Sequence, residues 1–141
     1  MSIAETETIA NLFMNDYLNA RNPALIDKLF SDDYVNHFLP PGAPNGREGE
    51  KMLFGMFLQG FPDFHMTPDE YVVEEGKVAI RYTFEGTNTG SFQGIPPTGK
   101  RVKVSGMNIL HIANGKIMEN FVVLDQMGLM QQLGLMPAPG Q

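Results

Sequence analysis

The chain has 141 residues, of which 18% are charged and 43% hydrophobic, and its formal net charge is −6. This length predicts a single domain with its own core, and the acidic balance argues against nucleic acid or an anionic membrane as a partner. The chain contains no cysteine, which excludes disulfides, thiol catalysis and thiolate metal sites. It has no apolar run of the ~18 residues that span a membrane. Its beginning holds Glu5 and Glu7 without a basic residue, unlike a secretory signal, so we expect a cytoplasmic protein.

Capping signals predict two helices near the start of the chain. Ser2 and Glu5 form a capping-box pair, and an apolar stripe follows at helical spacing. Asn22-Pro23 supplies the N-cap and the first residue of a second helix. The interiors are expected to hold Ile9, Leu12, Phe13 and Tyr17 in the first helix, and Leu25, Ile26, Leu29 and Phe30 in the second.

A third helix is predicted from about Arg47 to Gly60. The loop before it, Phe38–Gly46, contains three prolines and two glycines. Phe61-Pro62 ends the helix because proline disfavours a helical conformation in the residue before it. We expect Met52, Leu53, Met56 and Phe57 on its apolar face, and Arg47, Glu48, Glu50 and Lys51 in a solvated first turn.

After this helix the apolar period changes from about 3.6 to 2, which indicates β-strands. A strand at Tyr71–Glu74 precedes one that alternates from Val78 to Phe84. Strands from about 101 to 112 and from 116 to 124 flank Asn114-Gly115, a strong hairpin signal. Asp125 is the predicted N-cap of a short last helix. Helices followed by an antiparallel sheet indicate an α+β fold.

The last hairpin decides which side chains can face a ligand. A two-residue Asn-Gly turn would pair Asn108 with Phe121 and would mix charged and apolar groups on both faces. A three-residue loop, 113–115, with a glycine bulge pairs Asn108 with Asn120 instead and sorts the two faces. We therefore expect the bulged loop, with Gly106 opposite Val122, Val104 opposite Leu124, Lys103 opposite Asp125, Met107 opposite Phe121 and Ile109 opposite Glu119.

The sorted hairpin predicts two different sheet faces. The inner face is apolar apart from Asn108 and Asn120, and it suits a small hydrophobic organic ligand. The outer face shows Met107, Ile109, Phe121 and Val123, and an exposed apolar patch of this kind marks a partner surface. We expect a homodimer through the outer face; the alternative is a further helix that covers it.

Three sets of motifs occur in order along the chain. They are Phe61-Pro62-Asp63, the segment Gly94–Lys100 (GIPPTGK) followed by Ile112–Ile117 (IANGKI), and Asp125 leading to Gln131–Gly134 (QQLG). Together they resemble the SnoaL-like polyketide cyclase (ester cyclase) family. The resemblance implies a cone-shaped barrel of the nuclear-transport-factor-2 type, in which a curved antiparallel sheet wraps around N-terminal helices and a pocket, usually in a dimer. It also implies cofactor-free aldol closure of a polyketide ring, although steroid isomerases and limonene epoxide hydrolases share the fold.

The family's site residues carry over only in part. Counted from Gly115-Lys116-Ile117, the family's acid/base aspartate falls on Val122, and the histidine two residues before it falls on Asn120. A second pocket histidine falls on Asn108, and a pocket asparagine is matched by Asn36. Because valine cannot move a proton, ring closure through that aspartate is not expected. Asn108 and Asn120 would hold or polarise a carbonyl or enolate oxygen.

His37 is the predicted proton carrier, because it precedes the proline-rich loop beside the expected mouth of the barrel and histidine suits proton transfer near neutral pH. The alternative is a surface histidine. Tyr82 could donate to a carbonyl oxygen, with core packing as the alternative. Asp125 is expected to cap a helix rather than to react. His65 and His111 show no ligand spacing, so no metal is expected.

Residues 1–136 are predicted to form one SnoaL-like domain and 137–141 a flexible tail. The leading hypothesis is a cofactor-independent enzyme that transfers protons on a hydrophobic, oxygenated, polyketide-like compound by aldol cyclisation, isomerisation or dehydration. The rival is a non-catalytic binder of small apolar ligands or a dimeric interaction module. The predicted catalytic residues are His37, Asn108 and Asn120, and the predicted substrate-contacting residues are Asn36, Met56, Tyr82, Val122 and Leu124.

Overall fold

A computed structural model of the protein describes residues 1–137 and 139–140. The helical segments are α1 (Ile3–Asn11), its π-helical continuation (Leu12–Asn19), a 3₁₀ turn (Pro23–Leu25), α2 (Ile26–Leu29), α3 (Gly46–Gly60) and α4 (Gln126–Gln132). The strands are β1 (Phe30–Asn36), β2 (His65–Glu74), β3 (Lys77–Thr87), β4 (Arg101–Ala113) and β5 (Lys116–Leu124). The α+β class is thereby confirmed. The predicted tail, 137–141, includes Ala138 and Gln141, which lie outside the described residues.

The predicted helix signals act as expected. Ser2 Oγ accepts from the Glu5 amide at 3.1 Å, and Glu5 Oε1 accepts from the Ser2 amide at 3.3 Å, which completes the capping box of α1. The α3 helix begins at Gly46 and ends just before Phe61-Pro62. Asp125 Oδ1 accepts from the Gly128 amide at 2.8 Å and caps α4. Within the described residues, no helix has the length and apolar character needed to cross a membrane.

The second helix is shorter than predicted, and a strand follows it. α2 ends at Leu29, and Phe30, which was expected inside the helix, begins β1. β1 pairs with β5 in parallel, so the sheet is mixed, with the order β1-β5-β4-β3-β2, and it does not close. The predicted curved antiparallel sheet is present in β2 to β5; the parallel edge strand β1 and the open sheet are what the sequence did not predict. The register of β1 shifts between Phe30 and Val35, and the exposed Asp32 interrupts the apolar alternation that would reveal a strand in the sequence.

The β4–β5 hairpin corrects the predicted register but keeps the predicted facing. The turn has two residues, Asn114 and Gly115, with φ of 53° and 74°, as a type I′ turn requires. The extra residue is Met118 in β5, because Ile117 pairs with Ile112 and Glu119 with His111. The observed pairs are Gly106–Leu124, Met107–Val123, Asn108–Val122, Ile109–Phe121 and Leu110–Asn120. Asp125 follows β5, and its amide donates to the Ser105 carbonyl, so it does not lie opposite Lys103 as predicted. Since each partner differs from the prediction by an even number of residues, Asn108 and Asn120 still share one face.

The core lies between the helices and the inner face of the sheet. On β3 this face is formed by alternate residues from Val78 to Phe84, all of them buried. Aromatic side chains from both layers interlock there, with ring centroids 4.4–6.2 Å apart. The largest of these side chains are Phe13, Tyr17, Phe30, Tyr34, Phe54, Phe61, Phe64 and Phe84. On the outer face, Met107, Ile109, Phe121 and Val123 remain exposed.

Candidate functional site

An inner cavity lies between the helices and the concave face of the sheet. Its wall is mostly apolar and comes from the N-terminal helix, α3 and strands β2 to β5. The centres of water molecules can occupy about 70 Å³ of the cavity. Since one water needs ~10–15 Å³ on this measure, the cavity has room for several. The lining side chains are Phe13, Leu18, Phe38, Glu50, Leu53, Phe54, Phe57, Phe64, Met66, Tyr82, Asn108, Asn120, Val122 and Leu124.

Two amides interrupt the apolar wall. Asn108 on β4 and Asn120 on β5 are 5% and 3% exposed, and the side-chain oxygen of each has no hydrogen-bond partner within the described residues. Their placement follows from the hairpin, which turns the even-numbered residues of β4 inward. A buried polar atom without a partner costs about 1–3 kcal/mol. Each oxygen therefore has an unused capacity to accept a hydrogen bond.

A buried carboxylate, Glu50 of α3, completes the polar part of the wall. It is 4% exposed. The Tyr17 hydroxyl donates to Oε2 at 2.6 Å, the Tyr34 hydroxyl donates to Oε1 at 2.7 Å, and Asn36 Nδ2 donates to Oε1 at 2.9 Å. None of the ion pairs among the described residues includes Glu50, so these neutral donors hold the carboxylate. Asn36 Oδ1 in turn accepts from the Phe38 amide at 2.7 Å.

The tyrosines around this site stay protonated. Burial, and then the charge and hydrogen bond of Glu50, raise the pKa of Tyr34 far above its ordinary value, while hydrogen bonds from Asn120 and Asn36 lower it by less. Burial and Glu50 likewise raise the pKa of Tyr17, and burial alone raises the pKa of Tyr82. All three hydroxyls are therefore neutral hydrogen-bond donors near neutral pH, and none of them is a base there.

Tyr82 on β3 is the direct ladder partner of Gly106 on β4. A Cβ atom at position 106 would come within 2.5 Å of the Tyr82 ring and hydroxyl. The absence of a side chain at Gly106 thus makes room for Tyr82, which borders the cavity. The two residues set the shape of this wall together.

The structure separates His37 from the predicted amides. Its Nε2 lies 2.8 Å from Glu119 Oε2, its ring stacks on Phe121 at 4.2 Å, and its side chain is 42% exposed. Both contacts belong to the outer face of the sheet, where His111 also borders Phe121. The position directly after the buried Asn36 accounts for this, because successive strand residues point to opposite faces. The predicted role of proton carrier therefore gains no support from the placement of His37.

The predicted substrate-contacting residues fall in three places. Tyr82, Val122 and Leu124 line the inner cavity. Asn36 does not line the cavity, but it donates to Glu50, which does. Met56 borders an outer cleft with about 280 Å³ of space for water-sized spheres. Phe38 and Leu53 line both the cavity and the cleft and so form the partition between them.

Glu50 is the residue that the sequence analysis missed. It was expected in a solvated first turn, and the structure shows it buried. A signal was available, since Glu50, Leu53, Phe54 and Phe57 follow the spacing i, i+3, i+4, i+7 of a buried helix stripe. The predicted face included Met52 instead, and Met52 is 51% exposed. A carboxylate within an apolar stripe is the feature that pointed to a site.

His65 and His111 have no part in the cavity wall. The part of the chain described by the structure contains no cluster of three or more His, Asp or Glu residues arranged to hold a metal ion. Asp125 is occupied as a helix cap, and its amide donates to the Ser105 carbonyl at 3.0 Å. The chemistry-bearing groups of the cavity are thus Glu50, Tyr82 and the two amides.

The chain was compared with known families, curated proteins and solved structures. No curated protein matches the chain. Among solved structures, TsrD from Streptomyces laurentii is 28% identical with a TM-score of 0.85, over 96% of this chain and 99% of that one. A polyketide cyclase candidate from Bacillus cereus ATCC 10987 is 30% identical (TM-score 0.80, 94% and 82% of the two chains). AclR from Streptomyces galilaeus, a hydroxylase candidate, is 29% identical (TM-score 0.83, 97% and 89%).

The family model of the SnoaL-like polyketide cyclases matches residues 8–133. This range includes all five strands, α3 and every residue that lines the inner cavity. The chain belongs to the SnoaL-like polyketide cyclase family.

Proposed function

We propose that this protein is a cofactor-independent enzyme that binds a hydrophobic, oxygenated ring compound in the inner cavity and moves protons on it. The observation that carries the proposal is the pair of buried amides, Asn108 and Asn120, with unpartnered oxygens in an apolar wall. A ligand hydroxyl that donates to one of these oxygens removes a cost of about 1–3 kcal/mol for that unpaired group. The apolar remainder of the wall favours rings over charged metabolites.

The amides suit reactions in which negative charge develops on an oxygen. Besides its unpartnered oxygen, each amide carries an Nδ2 group that donates, and one preorganised donor to an enolate oxygen is typically worth about 3–4 kcal/mol in a transition state. Aldol cyclisation, isomerisation α to a carbonyl and dehydration all pass through such charge. The family favours cyclisation of a polyketide-like compound among these reactions.

The rival function is a non-catalytic binder of small apolar ligands. Val122, at the position where the resemblance puts an acid/base aspartate, favours this rival, and so does the outward placement of His37. A simple apolar binder, however, has no need of a carboxylate in its wall, because burying one costs several kcal/mol. Glu50 is therefore the reason to prefer an enzyme.

Binding and turnover of one pair of probes separate the two functions. The ligand probe is 2-naphthol, a flat bicyclic phenol whose oxygen imitates an enolate, titrated by its fluorescence. The turnover probe is 2-tetralone, whose α-protons exchange with deuterium oxide when a base removes them. We expect binding of 2-naphthol and catalysed exchange in 2-tetralone. Binding without exchange supports the binder, and the absence of binding contradicts the proposed site.

Substitution of the amides then localises the site. Asn108→Leu and Asn120→Leu keep the approximate size and remove the polar group, and each should weaken 2-naphthol binding about tenfold, equivalent to about 1.4 kcal/mol. Val123→Asn, an opposite change on the exposed face, is the matched control and should bind as wild type. Equal affinity in all three variants would place the ligand elsewhere.

We also propose that the outer face binds a second copy of this chain. The outer patch (Val35, Met107, Ile109, Phe121 and Val123) is contiguous across β1, β5 and β4 and exposed. Glu119 lies at one end of this surface and Lys103 at the other, so a copy related by a two-fold axis brings opposite charges together. Sedimentation should show a dimer that Phe121→Lys dissociates, whereas Val72→Lys, on the distant strand β2, should leave it intact. A wild-type monomer at high concentration would refute this.

A further inference from the structure

Glu50 is the only carboxylate in the cavity wall among the described residues, and it is 4% exposed. The lining contains two titratable side chains, Glu50 and Tyr82, and the buried Tyr82 hydroxyl remains protonated. The amides of Asn108 and Asn120 do not titrate. A buried carboxylate that borders a cavity and lacks a cationic partner is a typical catalytic arrangement.

We propose that Glu50 is the catalytic base and acid of this protein, in place of the aspartate that the sequence replaces with Val122. The inference rests on the proposed function and adds to it the group that moves the proton. Glu50 enters the same cavity as Asn108 and Asn120, but from α3 on the opposite layer. Its carboxylate reaches the sheet beside Asn120, because it accepts from Asn36, the ladder partner of Asn120. A substrate in the cavity therefore meets the base and this amide next to each other.

The reaction balances without a further reactant. The Glu50 carboxylate takes a proton from the carbon next to a substrate carbonyl, and the C–H electron pair becomes an enolate whose oxygen accepts from an amide N–H of the sheet. The enolate carbon attacks a second carbonyl carbon of the same molecule and forms the new C–C bond. The resulting alkoxide takes the proton back from Glu50, so no proton, electron or cofactor is consumed.

Three neighbours act as positioning residues for Glu50. Tyr17 from the N-terminal helix, and Tyr34 and Asn36 from β1, donate to its two oxygens. These donors fix the side-chain rotamer and stabilise the charged form. Asn36 also accepts from the Phe38 amide, which ties the carboxylate to the residue that separates the cavity from the outer cleft. The network thus connects the base to the partition between the cavity and the outer cleft.

Glu50→Gln is the decisive variant, because it removes the base and keeps the size of the side chain. We expect the turnover number for α-proton exchange in 2-tetralone to fall about 100-fold or more, with KM within threefold and with 2-naphthol still bound. Glu48→Gln, an exposed carboxylate on the same helix, is the matched control and should exchange at the wild-type rate. An exchange rate of Glu50→Gln within threefold of wild type would overturn the proposal.

The outcomes separate this inference from the proposed function. If the wild-type protein binds 2-naphthol but exchanges no protons, the proposed enzymatic function fails. If the wild type exchanges protons and Glu50→Gln does so equally well, only the assignment of Glu50 fails.

A second variant keeps the test decisive if Glu50→Gln does not fold. Tyr34→Phe retains the carboxylate and removes one hydrogen bond to its charged form. The turnover number for exchange in 2-tetralone should therefore fall about tenfold, with KM within threefold, because the carboxylate loses a bond that orients it. Thr83→Ala, a change on the outer face of β3, should exchange at the wild-type rate. A wild-type turnover number in Tyr34→Phe would refute the role of Glu50.

Discussion

The inner and outer faces of β4 and β5 both combine apolar side chains with polar ones, but the polar groups are in different states. On the inner face, Asn108 and Asn120 are buried and their oxygens lack partners. On the outer face, His37 and Glu119 are paired with each other and in contact with solvent. An exposed pair of this kind contributes little, about 0–1 kcal/mol. Burial without a partner, rather than the residue type, is therefore the reason to propose a ligand site on the inner face.

The largest expected contrast between the faces is in stability. Leu110 and Ile109 are neighbours on β4, the first fully buried and the second 41% exposed. Leu110→Ala should lower the free energy of unfolding by about 2–5 kcal/mol, because it leaves a cavity in the core. Ile109→Ala should cost less than about 1 kcal/mol in a monomer. Urea unfolding measures both values.

The protein concentration sharpens this first prediction. If the outer patch is buried against a second copy, the cost of Ile109→Ala should rise with concentration, because dimerisation contributes to stability by mass action. The cost of Leu110→Ala relative to wild type should not depend on concentration. A large and concentration-independent cost of Ile109→Ala would show that the two faces are not distinguished as described.

The next effect concerns the close approach of Tyr82 to β4. Gly106→Ala should destabilise the protein by about 1–3 kcal/mol, because the new methyl group displaces the Tyr82 ring. The displaced ring should enter the cavity and weaken 2-naphthol binding as well. Ser105→Ala, the adjacent outward residue, serves as the control in urea unfolding and ligand titration. Wild-type values for Gly106→Ala would mean that Tyr82 does not lie over residue 106.

How much of this arrangement could be predicted depends on the physical signal involved. The facing of Asn108 and Asn120 follows from parity alone, since only an even shift of register sorts the apolar residues of the hairpin. The position of the bulge cannot be predicted in the same way. An extra residue in the turn and an extra residue at Met118 separate the apolar from the polar side chains equally well. The sequence pattern therefore predicts which side of the sheet a residue faces more securely than it predicts the residue's partner on the next strand.

The site itself shows the same limit. The amides were predicted because they stand in a regular alternation, whereas Glu50 was assigned to solvent by its charge. Its burial depends on Tyr17, Tyr34 and Asn36, which come from two other elements. One of these elements, β1, was not predicted at all. A buried charge is stable only through such distant donors, so a local pattern cannot report it.

Alkaline pH tests the inner layer as a whole. All four tyrosines have a raised pKa through burial. The unfolded chain releases these protons near pH 10, while the folded chain retains them. Stability is therefore complete below about pH 10 and falls above it, by up to about 1.4 kcal/mol per pH unit for each deeply buried tyrosine. Phenolate absorbance should appear together with unfolding. In Tyr34→Phe the fall of stability with pH above about pH 10 should be less steep, because one fewer proton is released on unfolding. Gradual ionisation of the folded protein would contradict the burial.

The smallest effect is expected for His37, and it tests the comparison most directly. His37→Ala removes an exposed contact to Glu119 and a stacked ring on Phe121, so it should cost no more than about 1 kcal/mol of unfolding free energy. Because the side chain lies on the outer face, α-proton exchange in 2-tetralone should keep its wild-type rate and pH profile. A fall of about 100-fold, the magnitude of a lost general base, would mean that the ring turns inward during turnover. The contact between His37 and Glu119 would then describe the protein only in the absence of substrate. The distinction between an inner face that binds substrate and an outer face that does not would not hold for His37.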